Sequence, residues 1–126
     1  MQTLRLMPWQ LSVVQLPVGD GCDWAKSGAF HSITQTPDEL SVVCETSCVP
    51  QHLPHEAGWS ALTIDAILDF TMVGILAKLS GILAAANISI FAISTYNTDY
   101  ILLKSAYTKR ALESLAQNGY NVIIDA

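Results

Sequence analysis

The stretch from Asp69 to Lys104 constrains the fold of this chain more than any other part of the sequence. It begins with a polar turn and continues into apolar residues spaced three and four apart, which is typical of an amphipathic helix. Asn87 then ends the helical pattern, because asparagine tolerates the left-handed conformation that follows many helices. The apolar face of this predicted helix consists of Ile75, Leu76, Leu79, Ile82, Leu83 and Ala86.

Short apolar runs and a second helical pattern surround this helix. They are a strand at Ala61–Ile67, strands at Ile88–Ile93 and Tyr100–Leu103 joined by a turn at Asn97-Thr98, a helix from Tyr107 that ends at Asn118-Gly119, and a strand at Tyr120–Ile124. The resulting order, β-α-β-β-α-β, predicts an α+β ferredoxin-like sandwich in which two helices cover one face of an antiparallel sheet.

The sequence of the N-terminal half predicts a second, less complete copy of the same unit. Its predicted strands are Thr3–Met7, Leu11–Leu16, Phe30–Gln35 and Leu40–Glu45. The segment Ile33–Val43 aligns without gaps on Ile93–Leu103 at an offset of 60, which pairs Glu39 with Asp99. Because a glycine-rich loop replaces the first helix, we expect a tandem repeat with a degenerate first copy, divided into domains 1–58 and 59–126.

The charge balance argues against several classes of partner. The chain has 11 acidic and 6 basic residues, a net charge of −5 and an isoelectric point near 4.8. Nucleic acids and anionic membranes attract clustered lysine and arginine, so we expect neither as a partner. The N-terminus lacks the apolar core of a signal peptide, which predicts a cytoplasmic protein with reduced cysteines.

Metal binding and catalysis are weaker interpretations of the cysteines and histidines. Cys44, Cys48, His52 and His55 are zinc-type ligands, but their spacing lacks the longer loop that lets two ligand pairs fold together. A cysteine nucleophile needs a low pKa, and the acidic neighbours of Cys22 oppose that. We therefore predict no cofactor, no metal and no enzymatic activity, with a small metal-binding protein as the less favoured alternative.

Most polar groups suited to ligand binding lie in two bends, Asp69–Gly74 before the first helix and Thr95–Asp99 between the two strands that follow it. The free N–H groups at a helix start suit a carboxylate, and Gly74 lets a ligand approach the backbone. An aspartate nearby, such as Asp69 or Asp99, would accept hydrogen bonds from an ammonium group. The plainer alternatives are that Asp69 caps the helix, that Asp99 stabilises its turn and that Gly74 serves packing.

The sequence from Asp69 to Leu102 resembles the ACT domain family. Most of the likeness lies in the run Ile88–Ser94 followed by Thr98-Asp99-Tyr100. More narrowly, the sequence resembles small tandem-ACT proteins related to aspartate kinase regulatory domains and CASTOR arginine sensors. The resemblance implies a non-catalytic regulatory module that binds an amino acid where ACT units meet. The ligand-binding residues it implies are Asp69, Met72, Val73, Gly74, Ile75, Thr95, Tyr96, Asn97, Thr98 and Asp99.

The resemblance also raises the question of how ligand binding would be transmitted. Since little sequence lies outside the predicted ACT units, we expect a homodimer or a separate regulated protein to respond to the ligand. The alternative is a structural or protein-interaction module that kept the fold and lost the ligand. The apolar residues Met72 and Val73 at the ligand turn leave the identity of the amino acid open.

Overall fold

A computed structural model describes residues 2–65 and 74–125 of the chain. The turn before the first helix, which contains the predicted ligand-binding residues Asp69, Met72 and Val73, lies outside the described residues. The end of the predicted strand Ala61–Ile67 lies there as well, beyond Asp65.

Eight strands and two α-helices form the described part of the chain. The strands are β1 (Thr3–Leu6), β2 (Leu11–Leu16), β3 (His31–Gln35), β4 (Leu40–Glu45), β5 (Glu56–Ile64), β6 (Ile90–Ser94), β7 (Asp99–Lys104) and β8 (Asn121–Ile124). The helices are α1 (Ile75–Ala85) and α2 (Thr108–Gln117), and short 3-10 helices occupy Asp23–Ser27, Thr46–Cys48 and Ser105–Tyr107. No helix among these elements is long and apolar enough to span a lipid bilayer.

The chain divides into two compact units. The larger unit comprises Met1–Pro8 and Ser60–Ala126, and the smaller unit comprises Trp9–Trp59. The predicted domain boundary after residue 58 lies one residue from the division at Trp59. The N-terminal strand β1, which the prediction assigned to the first domain, contributes to the sheet of the larger unit because it hydrogen-bonds with β5 and β8.

The sheet of the larger unit has the strand order β6-β7-β5-β1-β8. The elements from β5 to β8 follow the predicted β-α-β-β-α-β order, so the ferredoxin-like α+β prediction is confirmed. The first strand of the chain is inserted between the first and last strands of that run. It pairs antiparallel with β5, with Leu4 opposite Ile64, and parallel with β8, with Leu4 opposite Val122.

One hydrophobic core joins the two helices to this sheet. Leu79 and Leu83 of α1 are fully buried one turn apart, as are Ala111 and Leu115 of α2. They pack in one cluster with strand residues such as Leu62. Burying a leucine side chain contributes about 2 kcal/mol, so the spacing of these residues along each helix fixes which face meets the sheet.

The smaller unit is a sheet of order β3-β4-β2-β5, to which β5 contributes its first residues. All of its pairings are antiparallel. A 3-10 helix, Asp23–Ser27, stands where the larger unit has α1, as the glycine-rich loop predicted. Val14, Leu40, Val42 and Cys44 form the centre of its separate core.

A β-bulge in β5 marks the end of the smaller unit. The pairing with β2 shifts between Leu11 opposite Trp59 and Val13 opposite Glu56, which leaves one extra residue in β5. Gly58 has a φ of 86° at this point, in the left-handed region that glycine adopts without a steric penalty. The predicted linker at Thr46–Gly58 therefore ends in strand, and β5 begins five residues earlier than the sequence indicated.

The two predicted hairpins correspond at an offset of 59 residues, and the predicted offset of 60 is wrong. Gln35 pairs with Leu40 and Ser94 pairs with Asp99 at the ends of the two loops. Each residue of the second pair follows its counterpart by 59 positions. The alignment at 60 paired two acids, Glu39 and Asp99, but a shift of one residue in a strand places side chains on the opposite face. Glu39 therefore corresponds to Thr98.

Candidate functional site

A pocket opens at one end of the larger unit, where the start of α1 lies near the end of α2. Its volume is about 380 Å³, which is within the range of small-molecule sites. We call it the α1–α2 pocket. The described residues that line it are Gln2, Gly74, Ile75, Lys78, Asn118, Gly119 and Tyr120. Two of the predicted ligand-binding residues, Gly74 and Ile75, are therefore part of a cavity.

The N-terminal end of α1 provides one wall of this pocket. Gly74 is the residue before the helix and has a φ of 82°, a conformation that strains any residue with a Cβ. Among the residues that the structure describes, no side chain caps the start of α1, and its first turn contains no acidic residue. Since Gly74 and Ile75 line the pocket, the positive end of the α1 dipole lies at this wall and favours a negatively charged group.

The C-terminal end of α2 provides the opposite wall. Asn118 and Gly119 follow the last helical residue, and Gly119 has a φ of 88°. The amide group of Asn118 donates to the Ser114 carbonyl at 2.7 Å, and the N–H of Gly119 donates to the Ala116 carbonyl at 3.1 Å. The last turn contains no basic side chain, so no cation of α2 offsets the negative end of its dipole.

Lys78 and Tyr120 bring a charge and a phenol to the pocket. The ammonium group of Lys78 lies over the Tyr120 ring, 5.6 Å from its centroid. This distance is within the range of a cation–π contact. Tyr120 is 8% exposed, and burial raises the pKa of its hydroxyl. The phenol therefore remains neutral at physiological pH, where it can donate a hydrogen bond.

The second predicted bend is the loop between β6 and β7, and it does not line the α1–α2 pocket. Its polar groups hold the turn together. The Thr95 N–H donates to the Thr98 carbonyl at 2.8 Å, and the Thr98 N–H donates to the Thr95 hydroxyl at 3.2 Å. The Asp99 carboxylate accepts a hydrogen bond from the Ser94 hydroxyl at 2.5 Å. Tyr96 and Asn97, at the tip of the loop, are exposed.

Five pocket residues were not among the predicted ligand-binding residues, although the sequence contained a signal for three of them. Lys78 is the one charged residue in the apolar stretch from Ile75 to Ser94. Asn118 and Gly119 are the predicted end of the second helix, and in a β-α-β-β-α-β unit that end lies at the same side of the sheet as the start of the first helix. Gln2 had no signal because the place of β1 in the sheet was unknown, and Tyr120 was predicted only as the first residue of the last strand.

The cysteines and histidines considered as metal ligands do not form a site in the described residues. No group of three or more His, Cys, Asp or Glu side chains there is arranged to hold a metal ion. His55 is exposed, and its Nδ1 lies 2.9 Å from the Leu53 carbonyl oxygen. Burial, with smaller contributions from Cys48 and Glu45, raises the pKa of the Cys44 thiol to about 11. A thiol with this pKa is protonated and unreactive at neutral pH.

Comparison with known families identifies the larger unit. A family model described as the ACT domain matches residues 55–117, which is half of the chain. A second model, described as an N-terminal domain, matches residues 22–52. No curated protein sequence is significantly similar to the chain.

Two solved structures share the fold of most of the chain. A crystal structure of a protein from Agobacterium tumefaciens has a TM-score of 0.91 at 28% identity, covering 99% of this chain and 94% of that one. A Vibrio cholerae protein of unknown function has a TM-score of 0.74 at 22% identity, covering 92% and 88%.

The fold is also that of a kinase regulatory subunit. The regulatory subunit of aspartate kinase from Thermus thermophilus has a TM-score of 0.59 at 12% identity, covering 87% of this chain and 91% of that one. At such identities the second and third likenesses concern the fold alone. With a family model that spans half of its length and a fold shared with aspartate kinase regulatory domains, the chain belongs to the ACT domain family.

Proposed function

We propose that this protein is a regulatory module without catalytic activity that binds a free amino acid in the α1–α2 pocket. Binding changes either its own assembly or its contact with a regulated protein. The observation that carries the proposal is that the positive end of the α1 dipole and the negative end of the α2 dipole line one cavity, with no acidic residue in the first turn of α1 and no basic residue in the last turn of α2.

This pair of helix ends matches the charges of an amino acid. The α-carboxylate accepts hydrogen bonds from the first N–H groups of α1, where the helix dipole favours negative charge. The α-ammonium group lies near the end of α2, where the helix dipole favours positive charge. An α-amino acid carries both groups on one carbon atom, so it interacts favourably with both helix ends at once. A simple anion or cation gains from only one.

The family supports a regulatory role. The chain belongs to the ACT domain family, and one solved structure of similar fold is described as the regulatory subunit of aspartate kinase. We further propose that the chain acts as a homodimer in the cytoplasm, and that the smaller unit is a degenerate ACT copy. In this arrangement the β6–β7 loop, Thr95–Asp99, is a second candidate anchor for the ligand, contributed across an interface.

The experiment is a binding screen on the full chain. Thermal-shift measurements against the twenty amino acids, followed by calorimetry, are expected to show one chemically related group of ligands that raises Tm. A bound ligand at about 100 times its Kd stabilises the protein by about 2.7 kcal/mol. Size-exclusion chromatography with and without that ligand then tests whether binding changes assembly.

Three variants locate the site. Gln2→Trp is expected to fill the α1–α2 pocket and abolish binding, because Gln2 lines it, whereas Gln117→Trp, at an exposed position of α2 outside the pocket lining, leaves affinity unchanged. Asp99→Ala tests the loop. Loss of binding in Asp99→Ala with normal binding in Gln2→Trp would move the site from the pocket to the β6–β7 loop.

The second candidate function is a structural or protein-interaction module. It is favoured by the β6–β7 loop, in which the Thr95, Thr98 and Asp99 groups already bond to one another or to Ser94. If none of the twenty amino acids stabilises a well-folded sample, this candidate replaces ligand binding.

A further inference from the structure

Lys78 is the charged residue among the described residues that line the α1–α2 pocket. It lies in the first turn of α1, at the end where the helix dipole disfavours a cation. Two other basic residues have acidic partners: Arg5 pairs with Asp65 at 3.2 Å, and Lys26 pairs with Asp23 at 3.3 Å. Within residues 2–65 and 74–125, Lys78 forms no salt bridge with a carboxylate, and its neighbour is the Tyr120 ring.

The α1–α2 pocket therefore concentrates positive charge in a protein whose net charge is −5. None of its described lining residues is acidic, and α1 has no acidic residue in its first turn. The start of α1 and the Lys78 ammonium group lie within one helical turn of each other, since the Lys78 N–H bonds to the Gly74 carbonyl at 2.9 Å. Two sources of positive potential thus meet at one wall.

Tyr120 provides a rigid surface beside this charge. Its ring is buried in the core cluster that includes Leu79 and Leu83, so it is a fixed surface under the lysine. Lysine side chains lay their alkyl stems along apolar surface and keep the ammonium group in water. Because both Lys78 and Tyr120 line the pocket, the ammonium group is available to a ligand there.

We infer that the ligand of the α1–α2 pocket is an acidic amino acid, whose side-chain carboxylate pairs with Lys78. This inference rests on the proposed function and adds the class of ligand to it. The α-carboxylate lies at the start of α1 and the α-ammonium group at the end of α2, while the side-chain carboxylate forms a salt bridge with Lys78. A lysine or arginine ligand would bring its side-chain cation towards Lys78 and the start of α1, and like charges at close range disfavour binding.

The test compares acidic amino acids with their amides, which have similar size but lack the side-chain charge, and with lysine and glutarate. Calorimetry on the full chain measures binding of L-glutamate, L-glutamine, L-aspartate, L-asparagine, L-lysine and glutarate in low-salt buffer. We expect glutamate or aspartate to bind at least about tenfold more tightly than its amide, which is the expected effect of one charge-assisted hydrogen bond. Added salt should reduce the preference, because screening weakens exposed charge pairs. Glutarate, which lacks the ammonium group, should bind more weakly than glutamate.

Variants of Lys78 and Lys109 test whether Lys78 causes the preference for an acidic amino acid over its amide. Lys78→Met keeps the apolar stem over Tyr120 and removes the charge, so the acid should lose its advantage over the amide. Lys78→Arg should retain it. Lys109→Met removes a charge from an exposed position of α2 outside the pocket and should leave the preference unchanged. Far-ultraviolet circular dichroism and Tm identify any variant that has lost its fold, and Lys78→Gln then repeats the measurement.

Two outcomes would overturn the inference while leaving the proposed function intact. One is tight binding of a neutral or cationic amino acid, lost in Gln2→Trp, with no binding of the acids. The other is an acid preference that persists in both Lys78→Met and Lys78→Gln. Glutarate binding as tightly as glutamate would overturn the requirement for an amino acid. Failure of all twenty amino acids to bind would overturn the proposed function and this inference together.

Discussion

Thr36 and Thr95 occupy the same position in two different hairpins. The Thr36 N–H donates to the Glu39 carbonyl at 2.9 Å, and the Thr95 N–H donates to the Thr98 carbonyl at 2.8 Å. In each loop the threonine hydroxyl accepts a hydrogen bond, at 3.2 Å, from the N–H three residues later. The two turns are therefore built alike although only the threonine is shared between them.

The correspondence at an offset of 59 residues extends well beyond the turns. β4 (Leu40–Glu45) matches β7 (Asp99–Lys104), and the 3-10 helix Thr46–Cys48 matches Ser105–Tyr107. Each 3-10 helix also starts with a hydroxyl that lies 2.7 Å from a buried serine on an earlier strand. This agreement favours duplication of one unit. The copies then diverge, because Pro50 follows the first 3-10 helix where α2 follows the second.

Removing either turn threonine is expected to destabilise its hairpin. Thr36→Ala and Thr95→Ala each lose the hydroxyl acceptor of the loop, at a cost of about 1 kcal/mol in the free energy of unfolding. Thr36→Ser and Thr95→Ser keep the hydroxyl and should retain most of the stability. Urea denaturation measures all four, and an alanine variant as stable as wild type would show that the side-chain bond contributes nothing.

The hydroxyl pair between Ser60 and Ser105 should show energetic coupling. Ser60 is 7% exposed and its Oγ lies 2.7 Å from that of Ser105. Ser60→Ala leaves the Ser105 hydroxyl without this partner, and the double variant removes both. A double-mutant cycle is expected to give a coupling of about 0.5–1.5 kcal/mol. Additive effects of the two single variants would contradict this contact.

A side chain at Gly28 is expected to destabilise the protein, although the backbone there is extended and suits any residue. A Cβ at Gly28 would overlap the Glu45 carboxylate, which accepts a hydrogen bond from the Ala29 N–H, and would lie 3.1 Å from the Cys48 sulfur. Gly28→Ala should therefore cost about 1–3 kcal/mol, as overpacking does. Thermal denaturation measures the loss.

Gly21 supplies the matched control for this prediction. A Cβ at Gly21 meets no atom within 4 Å, so Gly21→Ala should leave Tm nearly unchanged. Adding Glu45→Ala to Gly28→Ala removes the overlap, and the pair should lose less stability than the two single changes combined. Equal effects of Gly21→Ala and Gly28→Ala would rule out the steric explanation.

The buried thiol of Cys44 predicts a loss of stability in alkali. Burial, and then Cys48 and Glu45, raise its pKa from 9.0 to about 11. Below about pH 9 the thiol is protonated in both the folded and the unfolded chain, and its contribution to stability is fully present. Between about pH 9 and about pH 11 the unfolded chain releases the proton first, so the free energy of unfolding falls.

Cys44→Val isolates this contribution, because valine is of similar size and does not titrate. Urea denaturation at several values between about pH 8 and about pH 11 should show a shallower decline for the variant than for wild type. The Tyr120 hydroxyl, whose pKa is also raised by burial, continues to contribute in both proteins. Identical pH profiles would mean that Cys44 does not titrate differently in the folded chain.

The sequence alone determined the local elements and the family. The period of three and four from Ile75, the stop at Asn87 and the end at Asn118-Gly119 predicted α1 and α2 nearly residue by residue, because helix periodicity and helix-ending residues act over one or two turns. The strands Leu11–Leu16 and Leu40–Glu45 agree at both ends. The resemblance carried by Ile88–Tyr100 indicated the ACT fold that the family match confirms.

The tertiary structure decided which distant residues meet, since pairing between strands depends on contacts far apart in the chain. It placed β1 between β5 and β8, and so brought Gln2 to a pocket with Gly74 and Tyr120. It set the hairpin offset at 59, because turn hydrogen bonds and not matching acids fix the register. It also brought the ends of two helices together around Lys78, a lone charge whose neighbours no local pattern could reveal.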